Sequence, residues 1–114
     1  MFRFDKHLRE GVVVLELHGS LDAMTASAFK PEVVAIADSK ALKVVVDLKP
    51  LTLIDSTGVG VLISLFKRTR AQGGQVYFAG LVAQPKEVFR LLRLDRSLDL
   101  FPTVDEAVAK LTKA

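Results

Sequence analysis

The sequence predicts an α/β fold, a single domain whose mixed β-sheet is covered by helices, and three observations carry that expectation. The chain opens with two strand-like runs, "MFRFDKHL" and "VVVLELH", joined by the turn-forming "REG". "LKVVVDL" is a continuous β-branched run, the pattern of a strand buried on both faces. Strands then alternate with segments of helical period, and the right-handed crossover rule lays the later strands parallel in the order ββαβαβαβα.

After the hairpin, "GSLDAMTASAF" changes to a helical pattern that runs to about Ala37. Pro31 either kinks this helix by removing a backbone donor or sits in its first turn, which moves the start beyond Thr25. The strand "LKVVVDL" leads into a loop through Pro50. From Thr57 to about Gln72, the apolar residues Val59, Leu62, Ile63 and Phe66 recur on one helical face, and Gly73–Gly74 supplies a stop. "QVYFAG" reads as a strand, "QPKEVFRLLRL" as a helix with Pro85 near its first turn, and "LDLF" as a short strand. "TVDEAVAKLTKA" closes the chain as a helix in which Thr103 and Glu106 have capping-box spacing, with fraying expected over its last few residues.

Composition narrows the function. The 114 residues contain no cysteine, which removes disulfides, thiolate metal sites and cysteine nucleophiles. The charged start lacks a signal-peptide core, so a cytoplasmic location is expected. The longest apolar stretch, "VGVLISLF", is far short of the roughly 20 residues that span a bilayer, so no membrane span is expected. Lys and Arg outnumber Asp and Glu by 16 to 13 but are scattered, and a nucleic-acid footprint requires a concentrated basic face with stacking aromatics.

The informative stretch is "PLTLIDSTGVG", residues 50–60, between a strand-like and a helix-like run. His7 and His18 are the only histidines and neither has metal-ligand spacing, so no metal site or cofactor is expected. "IDSTG" lacks the glycine of a GxSxG nucleophile elbow. Its likeness to an aspartic-protease loop is superficial, because a helix follows and an extra residue separates Asp55 from Gly58. A phosphate-cradling loop is missing its lysine. What remains is a serine at a helix start, where oriented N–H groups favour negative charge.

Capping alone accounts for Asp55, Ser56 and Thr57. It does not call for Gly58 and Gly60, each of which costs about 0.5–1 kcal/mol relative to alanine within a helix. These glycines either permit close packing against the neighbouring strand or leave the serine open to another protein. With Val59, Leu62, Ile63 and Phe66 turned to the core, Gly58, Val61 and Leu65 fall on another side with Arg68 nearby, the arrangement expected of a docking stripe.

The segments "VVVDLKPLTLIDSTGVGVLISLFKRTRAQGGQVYFAGL" and "LHGSLDAMTASAF" resemble the bacterial anti-sigma factor antagonists, the STAS-domain proteins, over nearly the whole chain and in the same order. The resemblance implies one STAS domain over residues 1–114, without catalysis of its own. It implies that Ser56 is phosphorylated by a partner that is both an anti-sigma factor and a serine kinase. The unmodified protein then binds that partner and frees the sigma factor, and a serine phosphatase reverses the modification. Asp55 matches the acid beside the acceptor, and Thr57, Gly58 and Gly60 match the helix start. Asp22 matches the acid of the loop beside the serine, so that Ser20, Leu21 and Asp22 form the second lip of the docking surface; Asp22 is equally expected to cap the first helix. Two features depart from the family pattern: a basic balance, which leaves the partner's charge open, and Pro31 within a helix that usually runs through. Two other assignments compete. One is a STAS domain in another regulatory or lipid-transport assembly with Ser56 unused; the other is a small-ligand or nucleotide-binding protein, including an enzyme, on the same fold.

Overall fold

Glu10 and Gly11, with φ of 52° and 79°, make the turn between the first two strands, β1 (Phe2–Arg9) and β2 (Val12–Leu21). Two consecutive positive φ values give the turn the twist that a two-residue hairpin needs. The computed structural model describes residues 1–113; of the last few residues, where fraying is expected, Ala114 lies outside the described residues, and the closing helix extends to Thr112. The strands pair antiparallel from Phe2 opposite Gly19 to Arg9 opposite Val12.

Helix α1 (Ala26–Asp38) contains Pro31 beyond its first turn and continues through it with one backbone donor fewer. Strand β3 (Lys43–Asp47) pairs parallel with the first half of β2, matching Val13 to Val44 and Glu16 to Asp47. The expected loop after it contains a further strand, β4 (Leu51–Ile54), which pairs parallel with the end of β2. Its four residues run buried, exposed, exposed, buried, which is no two-residue period, and Pro50 precedes them, so the strand is stabilised by β2 rather than by its own pattern. Gly19 makes the handover possible. Its φ of 85° accompanies a register shift in β2, and a Cβ there would lie 2.0 Å from the carbonyl oxygen of Met1.

The remaining elements are helix α2 (Ser56–Ala71), strand β5 (Gln75–Ala79), helix α3 (Ala83–Leu91), a 3-10 turn (Leu94–Arg96), strand β6 (Asp99–Phe101) and helix α4 (Val104–Thr112). The sheet runs β1-β2-β3-β5-β6, with β4 beside the end of β2. The observed order is therefore ββαββαβαβα, the expected α/β fold with one strand added. Thr103 Oγ1 accepts the Glu106 N–H at 3.1 Å, as the capping spacing predicts.

The larger core lies on the face covered by α1, α2 and α3, where Leu15, Leu17, Val44, Val46 and Phe78 meet Phe29, Leu62 and Phe89. Phe29 of α1 also packs against Phe2 and Phe4, with ring centroids 5.2 and 5.4 Å away, which fastens the edge strand β1 to the helical layer. On the opposite face α4 covers Val12, Val14, Val45 and Ala79.

The helical phase expected for α2 requires correction. Gly58, Val59, Val61, Leu62, Leu65 and Thr69 are buried, whereas Ile63 and Phe66 are only partly so. The helix is turned from the expected phase by just under one residue's step of about 100°. It packs on the sheet and on α1 together, so its buried stripe is wider than one face, and the Val59–Leu62–Ile63–Phe66 row is only one of two overlapping apolar rows.

Candidate functional site

The site begins where β2 and β4 end side by side, with Leu21 opposite Ile54. Two loops leave this point. Residues 22–25 lead into α1, and Asp55 leads directly into α2 with extended backbone as its N-cap. Asp55 Oδ1 accepts the Gly58 N–H at 2.9 Å and Asp55 Oδ2 accepts the Ala23 N–H at 3.0 Å. One carboxylate therefore caps α2 and ties it to the neighbouring loop. The Asp55 N–H in turn donates to the Leu21 carbonyl at 3.3 Å.

The other loop is closed from within. Asp22 Oδ1 accepts the N–H groups of Met24 and Thr25 at 2.9 and 3.2 Å, and the Asp22 carbonyl accepts the Ala26 N–H at 2.8 Å. The Thr25 hydroxyl donates to the Ser20 carbonyl at 2.8 Å and accepts the Asp22 N–H at 3.0 Å. Thr25, the residue before α1, makes no side-chain capping bond, and the Asp22 carboxylate supplies the capping bonds to the turn that leads into the helix. Met24 at the tip is 89% exposed.

Ser56 and Thr57 are the first two residues of α2, and both are exposed. Gly58 and Val59 donate their N–H groups to the Asp55 side chain and carbonyl, while the first-turn donors of Ser56 and Thr57 have no intrahelical acceptor. Gly58 is buried beneath them. A Cβ on it would lie 2.4 Å from the Leu21 carbonyl oxygen and 2.9 Å from Ile54 Cγ1, so its absence lets α2 start against the strand ends. Gly60 is exposed, and a Cβ there would meet nothing within 4 Å. The two glycines thus divide the two roles open to them, close packing at Gly58 and open space at Gly60.

Of the residues expected at the docking surface, the structure brings Asp22, Asp55, Ser56 and Thr57 together at one end of the sheet, with Ser20 half-buried behind them. Leu21 and Leu65 do not belong to it. Both are 0% exposed, and Leu65 lies in the core because of the turned phase of α2. Gly58 contributes by packing alone, and Val61 is buried at the floor of a groove between α1 and α2. Gln84 is a residue that sequence reasoning missed. Its side-chain amide donates to the Ile54 carbonyl and accepts the Ile54 N–H, both at 2.9 Å, completing the β4 edge immediately before Asp55. No local pattern marks a glutamine whose partner lies 30 positions away.

On the other sheet face, strand pairing joins groups that are apart in sequence. His18 Nε2 lies 2.6 Å from Glu16 Oε1 and 3.4 Å from Asp5 Oδ2. Asp5 of this cluster is exposed, and Glu16 and His18 are half-buried. Among the described residues, no helix is long and apolar enough to cross a membrane.

The model of the STAS domain matches residues 3–107. An anti-sigma F factor antagonist of Paenibacillus polymyxa is 31% identical over 104 residues, covering 90% of this chain and 86% of its own. The crystal structure of an anti-sigma factor antagonist from Mycobacterium paratuberculosis superposes with a TM-score of 0.91 over 99% of this chain and 96% of its own, at 21% identity. The Bacillus cell fate determinant SpoIIAA in its phosphorylated form superposes with a TM-score of 0.74 over 95% of this chain and 98% of its own, at 20% identity. At such identities the two structures bear on the fold, while the domain match and the Paenibacillus relative establish kinship: the chain belongs to the STAS domain family, the family of the anti-sigma factor antagonists that it resembles.

Proposed function

We infer that the protein is an anti-sigma factor antagonist that binds an anti-sigma factor while Ser56 is unmodified and releases it when Ser56 is phosphorylated. The observation that carries this reading is the position of Ser56: exposed at the first residue of α2, on a platform that Asp55 fixes by bonding both Gly58 and Ala23. A phosphoryl group adds nearly two negative charges at pH 7, and a helix start accommodates them with about 0.3–1 kcal/mol of favourable interaction. Folding therefore survives. In a docked interface the same charges must be desolvated beside Asp55 and Asp22, at an effective cost of several kcal/mol. Each 1.4 kcal/mol is about a tenfold loss of affinity, so release follows.

The anti-sigma factor is itself the serine kinase in this scheme, a serine phosphatase resets the switch, and the protein works in the cytoplasm without catalytic activity, cofactor or nucleic acid. The test is a titration against a purified anti-sigma factor with a serine-kinase domain from the same genome, followed by ATP and mapping of the phosphosite. Ser56→Ala should bind at least as tightly as wild type and resist the kinase, whereas Ser56→Asp should bind more weakly. Equal affinities for all three proteins, or phosphate on another residue, would overturn the switch.

A further inference from the structure

The α1–α2 groove opens beside Thr57 and has a volume of about 400 Å³. Val33 and Val34 of α1 and Val61 of α2 form its apolar part, with Val34 38% exposed, and Gly60 leaves the groove open because no side chain fills the space above it. Its charge is one-sided. Lys30 and Arg68 line it and no carboxylate does. Among the described residues neither cation belongs to an ion pair; Arg68 donates its Nε–H only to the Ser64 hydroxyl, at 3.3 Å. Helix α2 has Lys67, Arg68 and Arg70 and no Asp or Glu.

The helix dipole accounts for part of this pattern, since Arg68 and Arg70 lie in the last turn of α2, where cations are favoured by about 0.3–1 kcal/mol. It does not account for Lys30. That residue is the fifth of α1, in the half nearer the positive end, and it faces the same groove. Two cations without acidic partners around a partly apolar depression of this size complement a segment with acidic side chains and one or two apolar ones.

We propose that the α1–α2 groove receives an acidic, partly apolar segment of the anti-sigma factor, steered and held by Lys30 and Arg68 beside Ser56. The proposal rests on the antagonist reading above and assigns the partner's charge. The apolar side chain of that segment occupies the space over Gly60 and Val61, and its carboxylates face Lys30 and Arg68. Rim charges of this kind act mainly on association rate and salt dependence.

The experiment measures affinity and association rate for the purified anti-sigma factor kinase at low and high salt. It compares wild type, the pair Lys30→Glu with Arg68→Glu, and the pair Lys110→Glu with Lys113→Glu. The second pair makes the same change in net charge from exposed positions at α4 and its C-cap, on the opposite face of the sheet. At low salt the groove pair should lose at least about tenfold in association rate, the scale of electrostatic steering, and most of its salt dependence. The α4 pair should stay close to wild type. Should the groove pair unfold, as judged by melting, Lys30→Gln and Arg68→Gln take its place and should each lose part of the rate. Loss by both pairs alike, or by neither, overturns the proposal while leaving the antagonist reading intact. Failure of wild type to bind overturns both. Binding of citrate in the groove that leaves partner affinity unchanged assigns the groove to a small anion instead, and also overturns the proposal.

Discussion

The carboxylate of Asp55 accepts the backbone N–H of Ala23 at 3.0 Å, a bond across 32 positions of sequence, while its other oxygen holds Gly58 at 2.9 Å. An ordinary helix cap has thereby become a fastener between two loops. Its value lies in rigidity: a serine at the helix start is presented in one geometry only if the loop beside it cannot drift.

Asp55→Ala removes both bonds and should lower stability by about 1–2 kcal/mol, the range for a lost N-cap. Asp55→Asn retains one acceptor oxygen and should lose about half as much. Urea denaturation gives the stabilities, and amide exchange at Ala23 gives the link between the loops. Faster exchange at Ala23 in the alanine variant is expected; unchanged exchange would mean that the 22–25 loop is held by Asp22 and Thr25 alone.

Leu65, read from periodicity as part of an exposed docking stripe, is 0% exposed. Leu65→Ala should cost about 2–5 kcal/mol, as core truncations do. Leu65→Glu places an unpaired charge in the core and should leave the chain largely unfolded, since whole-domain stability is only about 5–15 kcal/mol. Thermal melting distinguishes the two placements, because a surface leucine would tolerate both changes with little shift.

The contrast between Asp55 and Leu65 shows what was legible in the sequence. The capping residue, the helix start and the exposed serine follow from local chemistry, since each depends on neighbours within four positions. So do the β-branched strand β3 and the Thr103–Glu106 cap. The phase of α2 does not, because α2 has two overlapping apolar rows, and only its packing against α1 as well as the sheet selects between them. Strand β4 is too short to declare itself and is defined by β2. The bonds from Asp55 to Ala23 and from Gln84 to Ile54 join residues about 30 apart, and no spacing rule anticipates them. The groove cations Lys30 and Arg68 likewise come together only when α1 and α2 pack.

Gly58 and Gly60 give a paired test. A Cβ at Gly58 would lie 2.4 Å from the Leu21 carbonyl oxygen, closer than any real contact, so α2 or the end of β2 must shift. Gly58→Ala should therefore destabilise by about 1–3 kcal/mol, the cost of overpacking. Gly60→Ala meets nothing within 4 Å and removes backbone freedom from the unfolded chain, so it should stabilise by about 0.4–1 kcal/mol. Equal effects from the two substitutions, measured by urea midpoint, would contradict the packing described for α2.

Asp47, at the end of β3, gives a prediction with a definite sign in pH. Burial pushes its carboxyl above the ordinary value of 3.8; its bond from the Lys49 N–H opposes the shift, the charge of Glu16 adds to it, and the charges of Lys49 and His18 oppose it. The folded chain thus holds this proton more readily than the unfolded chain does. Stability associated with Asp47 is then fully present below 3.8 and declines as pH rises through the raised value, because the folded state must bear a poorly solvated charge. Asp47→Asn keeps an oxygen for the Lys49 N–H, which Asp47 Oδ1 accepts at 3.1 Å, and removes the titration. The variant should match wild type at about pH 3 and exceed it in melting temperature at about pH 7, with the difference growing between them. A variant less stable than wild type at the higher pH would show that the carboxylate is stabilised by Lys49 and His18 by more than burial costs it.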